Sequence, residues 1–190
     1  MTVITYYSDH YSRDGDMRTI DEGSHGADDI NGAPLRVAIG KCDLTAVGAS
    51  LSDGDVVRMA RIRSRNRVVE LRFSTDGQFD GGTSPLAYIG FHKKGANHDG
   101  AIVDAEIFSG SGGDITIDPT NGAYQDFNVT TDDVAGGSIE LAGKRCWEHA
   151  ADAGVALTQD PKEEWDLTVS PTDIAGNTTS GKLVVAMFYT

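Results

Sequence analysis

From residue 35 onward, apolar and polar residues alternate in short runs divided by Gly, Asp, Ser and Thr, the period-two pattern of strands. The densest stretch, LSDGDVVRMARIRSRNRVVELRF (51–73), reads as strand, short basic turn, strand: a basic hairpin with arms over 55–62 and 68–74. Within it Val57 and Met59, then Val69, Leu71 and Phe73, fall at every second position and are expected on one face. LRVAIGK (35–41) predicts a first strand, and LAYIGFH (86–92) alternates with Ala87, Ile89 and Phe91 on one side. AIVDAEIF (101–108) and DITID (114–118) predict two more strands around an SGSGG loop. TDGQFDGGTSP (75–85) is a turn-rich connection whose Pro85 does not fit inside a central strand. Residues 119–142 are polar and loop-like, with one strand near Ile139 and Leu141. KRCWEHAADAG (144–154) is the good helix candidate, closed by Gly154 as its C′ residue. EEWDLTVSP puts Trp165, Leu167 and Val169 on one face, and the apolar run Leu183–Tyr189 predicts a central strand buried on both faces.

Residues 1–34 differ from the rest. They hold Tyr6, Tyr7 and Tyr11, followed by the Gly- and Asp-rich EGSHGADDINGAP, which cannot easily supply alternating strands to a core. The chain is therefore divided into an N-terminal arm, 1–34, and a β domain, 35–190. The arm is a frayed terminus or an extended segment that orders on a partner, where Tyr gives large contact area at small entropic cost.

Composition narrows the class. At 190 residues the chain is long enough for one domain with a core of its own, and 23 glycines among short apolar runs favour an all-β sandwich or barrel over a helical bundle. No run approaches the roughly 20 apolar residues that cross a bilayer, so no membrane partner is expected. The opening MTVITYYSDHYSR lacks a cationic region followed by an apolar one, and synthesis in the cytoplasm is expected. A formal charge of −13 argues against non-specific nucleic-acid binding. Yet six of the 16 Lys and Arg residues lie between Arg58 and Arg72, while seven acids face Arg13 and Arg18 in the first 30 residues. That asymmetry is a solvated basic face, or one that docks on an acidic partner surface.

Signatures of chemistry are missing. There is no nucleophile elbow and no P-loop, and SGSGG (109–113) has no basic residue or helix start after it. Cys42 and Cys146 lie far apart without zinc spacing and read as two free, buried thiols. Of five histidines, His92 and His98 flank KKGAN, and a metal site of His92, His98 and Asp99 is the weaker reading against a loop tip. The acidic pairs Asp14/Asp16, Asp53/Asp55 and Asp132/Asp133 do not follow an EF-hand and read as turn formers. Aromatic residues at 7% with two Trp offer little for a carbohydrate cleft. No catalytic residue, metal or cofactor is expected.

The segments SDGDVVRMARIRSRNRVVELRFSTDG, LAYIGFHKKG and TSGKLVVAMFYT, with the helix-like CWEHAADAG ahead of DPKEEWDLTVS, resemble tailed-phage virion proteins over roughly residues 35–190. This chain departs from them in the five arginines from Arg58 to Arg67, where small and apolar residues are common. The resemblance, to capsid decoration or cement proteins of the head, implies a jelly-roll-like antiparallel β-sandwich with one short helix and an extended N-terminal arm. It further implies a non-enzymatic homotrimer on the capsid surface, bound to the major capsid protein and bridging neighbouring capsomers. Many modest contacts would act together in that role. Tyr6, Tyr7 and Tyr11 would anchor the arm, and Arg58, Arg61, Arg63, Arg65 and Arg67 would pair in part with shell carboxylates, since alternation sends some to opposite faces. The competing reading is a tail, baseplate or host-glycan-binding module.

Overall fold

The computed structural model describes residues 5–7, 35–43, 51–52, 54–75, 86–94, 100–108, 115–116, 125–128, 143–172 and 181–190; the chain is an all-β sandwich, with one short helix among the described residues. The strands are β1 (Thr5–Tyr7), β2 (Arg36–Asp43), β3 (Val56–Arg63), β4 (Val68–Thr75), β5 (Leu86–Lys93), β6 (Ile102–Asp104), β7 (Ile115–Thr116), β8 (Gln125–Asn128), β9 (Glu164–Thr172) and β10 (Lys182–Tyr189). The helix α1 spans Cys146–Asp152. One sheet runs β1-β3-β9-β5-β6, with β7 also on β5, and the other runs β2-β10-β4-β8. Among the described pairings only β1 with β3 is parallel.

The basic segment is not a hairpin, contrary to the sequence expectation. β3 lies in the first sheet against β9, whereas β4 lies in the second against β10. The connection is a corner, because its polar backbone groups are taken up elsewhere. Ser64 N–H donates to Glu163 O, Asn66 O accepts from Cys146 N–H, and Arg67 exchanges two hydrogen bonds with Thr190. With those groups satisfied, the chain leaves one sheet and enters the other.

Alternation places the core. Trp165, Leu167 and Val169 from β9, and Ala87, Ile89 and Phe91 from β5, are buried as their spacing predicts. Leu183, Val185 and Met187 face them from β10, with Leu71 and Phe73 of β4. Each of these side chains larger than Ala87 contributes roughly 1.5–3 kcal/mol by burial. Phe91 stacks edge-on to Phe108 at 5.1 Å, so the turn after β6 also closes the core. Gly40 of β2 packs directly on the Met59 backbone of β3, where a Cβ would collide with the main chain. That contact draws the two sheets together at one edge.

Further departures have local causes. Val69 is exposed and Val68 buried, because the β4–β10 register shifts between Phe188 and Tyr189 and changes the phase of the strand. β10 is central as expected, but only its inner face is fully buried; Val184, Ala186 and Phe188 are half-buried. The expected strand 101–108 is a strand only over β6, and β8 lies within a region read as loop. The arm contributes β1 to the edge of the first sheet. The strand expected near Ile139 and Leu141 and the SGSGG loop fall outside the described residues. Helix α1 matches its expected position. Glu148 Oε2 accepts from Arg145 N–H at the start, and Gly154 follows the end at φ 100°.

Candidate functional site

The outer face of the first sheet carries a buried polar cluster assembled from β3, β5 and β9. The β3–β9 register runs from Arg58↔Thr168 to Ala60↔Leu167, leaving Met59 as an extra residue. This bulge reverses the phase of β3: Val57 lies inward before it, Ala60 and Ile62 after it. Arg58 and Arg61 therefore share the outer face. There Arg58 Nη1 lies 2.7 Å from Asp166 Oδ2, and Arg61 Nε 3.1 Å from Oδ1. Asp166 is 0% exposed and Arg58 2%.

Two guanidinium groups converge on one buried carboxylate, and a buried charge is costly unless its remaining hydrogen bonds are also met. Backbone carbonyls supply them for Arg58: its Nη1 donates to Lys93 O and its Nη2 to Gly100 O, each at 3.0 Å. His92, opposite Asp166 on β5, completes the row. The Thr168 hydroxyl donates to Gly90 O at 3.2 Å, so its oxygen accepts from His92 Nδ1 at 3.0 Å. Nδ1 thereby carries a proton. Burial, and then the Arg58 charge, push the His92 pKa down to about 4, against a smaller opposing effect of Asp166. The arrangement can hold strand ends in place and disfavours a proton on His92.

The residues expected to meet a partner are dispersed. Arg58 lies on the outer face of the first sheet but is buried there, with Asp166 and two carbonyls on its guanidinium. Arg61 is 12% exposed and paired with the same carboxylate. Arg63, Arg65 and Arg67 are exposed at the corner, where Arg67 donates to Gly143 O. Around them, Asp160 is held below the ordinary carboxylate range: against a burial penalty, the Ser64 hydroxyl and the Lys162 N–H donate to it, with Arg65 nearby. Tyr6 and Tyr7 lie on β1 opposite Val57 and Arg58, and Tyr11 is outside the described residues. His92 meets Thr168; His98 and Asp99 also lie outside the described residues. Among the described residues no cluster of His, Cys, Asp and Glu could hold a metal ion. Cys42 and Cys146 are buried and not joined in a disulfide, and burial pushes the Cys146 thiol up.

A second surface was not foreseen. The outer face of the second sheet carries Val37 and Ile39, 42% and 41% exposed, beside half-buried Phe188 and Ala186, to which they are register partners. Val69 at 41% and Leu35 at 60% extend the exposed apolar surface. The ion pairs Glu70–Arg72 and Asp43–Lys182 lie on the neighbouring and same strands. The alternation in RVAIGKCD was visible, but not which of its two faces the core would take. Asp166 went unnoticed because an acidic residue between Trp165 and Leu167 reads as the wet side of a strand.

No described helix is long and apolar enough to cross a membrane. No family model matches the chain, and no curated protein matches it. Among solved structures it is similar to a chain of the capsid of Ralstonia phage GP4, at 12% identity and a TM-score of 0.47, with 97% of this chain and 96% of that one covered. It is also similar to a chain of the cyanophage Pam1 capsid asymmetric unit, at 12% identity and a TM-score of 0.39, with 89% of this chain and 98% of that one covered.

Proposed function

We propose that this chain is a non-enzymatic virion structural protein that decorates and stabilises a capsid shell by bridging neighbouring capsomers. The observation that carries the reading is the exposed apolar stripe of the second sheet, Val37 and Ile39 beside Phe188. Contiguous apolar surface on a sheet face is suited to burial against another protein. The resemblance of residues 35–190 to phage decoration proteins supports the same role, with the major capsid protein as partner and a homotrimer as the assembly. Arg63, Arg65 and Arg67, exposed together at the corner, add a basic rim suited to shell carboxylates. The pairing of β1 along a sheet edge supports an arm that binds by strand addition, a mode that would serve between subunits as well.

The test is the copy number of the chain in purified virus particles, counted against the major shell protein by quantitative mass spectrometry. Hundreds of copies, near one per shell subunit, are expected. A few or a few tens would move the protein to the portal or tail, and absence from particles would end the virion reading.

A further inference from the structure

We propose that Arg58, Asp166 and His92 form an acid-released latch on the edge strand β6. This strand is short and lightly held. It pairs with β5 only at Phe91↔Asp104 and His92↔Ile102, with a register shift between them. Ile102 is 63% exposed and Val103 only half-buried, so little apolar burial secures the strand. Its entry is instead fixed by polar groups. Lys93 N–H donates to Ala101 O at 2.8 Å, and Arg58 spans Lys93 O and Gly100 O with its two terminal nitrogens. Asp166 holds that guanidinium in place at 2.7 Å.

The latch is sensitive to acid because of what surrounds His92. Arg58 acts on His92 from β3 and Asp166 from β9; Arg61 sits on the other oxygen of Asp166 with Glu164 acting on it, and the carboxylate of β6, Asp104, accepts from Glu106 N–H. Among the described residues Asp166 is the carboxylate that acts on His92, and it already serves two guanidinium groups, so a third cation in the closed form is poorly compensated. Opening gives His92 access to water, where it takes a proton at its ordinary value. The closed pKa of about 4 lies below the ordinary 6.5, so the open form binds more protons between those values. Acid therefore favours opening. The equilibrium shifts on the order of a hundredfold between pH 7 and pH 4. Release of β6 bares the hydrogen-bonding edge of β5 beyond His92, a place where another strand can add.

Hydrogen–deuterium exchange of the full chain tests this, with protection of the Gly100–Asp104 amides corrected for the intrinsic effect of pH. The wild type is expected to lose about a hundredfold of protection there between pH 7 and pH 4, while amides of Trp165–Val169 stay protected. His92→Asn keeps a donor for the Thr168 hydroxyl but cannot titrate, and its protection is expected to be flat with pH. Arg58→Met is expected to lack the protection already at pH 7. A flat wild-type profile, an undiminished drop in His92→Asn, or simultaneous loss across β9 would overturn the latch. If Arg58→Met does not fold, the His92→Asn comparison decides alone.

Discussion

Arg58 and Arg61 stand three positions apart on one strand, yet they reach the two oxygens of the same carboxylate, Asp166, at 2.7 and 3.1 Å. In a regular strand an odd separation puts side chains on opposite faces. The extra residue Met59 inserts half a period, which brings the two guanidinium groups together.

Because Asp166 is fully buried against Arg58 and Arg61, Asp166→Asn removes the buried negative charge on which both guanidinium groups converge. We expect a loss of about 3–5 kcal/mol in urea denaturation. Lys94→Met, which breaks the exposed pair with Glu164, is expected to stay within about 0.5 kcal/mol of the wild type. Equal effects of the two would contradict a special role for the buried cluster.

The pH dependence of global stability has a definite sign. A histidine held at about 4 when folded and 6.5 when unfolded makes the unfolded chain bind more protons in that window. Its stabilising share is complete above 6.5 and is lost as pH falls towards 4, by about 3 kcal/mol in all. Glu163 and Glu164 are held low by hydrogen bonds from Trp165 and Lys94 respectively, so their shares disappear only below about 4.5. Urea midpoints at pH 7 and pH 5 should therefore differ in the wild type and much less in His92→Asn.

Gly40→Ala places a Cβ against the Met59 main chain, which cannot give way as a flexible side chain would. A cost of about 2 kcal/mol or more is expected. Gly154→Ala has open space around it and meets only the strain of φ 100°, worth about 1 kcal/mol. Thermal unfolding of both variants should rank Gly40→Ala as the more damaging; the reverse order would contradict the close approach of the sheets.

Val37→Ser with Ile39→Ser removes exposed apolar groups and is expected to change stability by less than about 1 kcal/mol. On the decoration reading, co-sedimentation with shells lacking this chain should weaken at least tenfold. Replacing Arg63, Arg65 and Arg67 with Glu should slow association and flatten its salt dependence. Unchanged binding in both variants would remove these surfaces from the interface.

Much of the core was legible in single strands. The spacing of Ala87, Ile89 and Phe91, and of Trp165, Leu167 and Val169, reports burial directly, since a strand alternates its faces without help from its neighbours. Helix α1 and its closing glycine were legible for the same local reason. The polar cluster was not. His92 was weighed with His98 and Asp99, its sequence neighbours, whereas its actual partner Thr168 is brought by a strand 76 positions away.

That this chain alternates, turns often and builds a two-faced β structure follows from residue type and immediate neighbours. Tertiary structure alone decided that β3 and β4 part into opposite sheets, since the backbone groups of their corner are claimed by α1, the approach to β9 and the C-terminus. It also decided that Arg58 is an internal strut and Val37 a surface group. A bulge and a choice of face are settled by the strands packed alongside, and no run of residues carries that information alone.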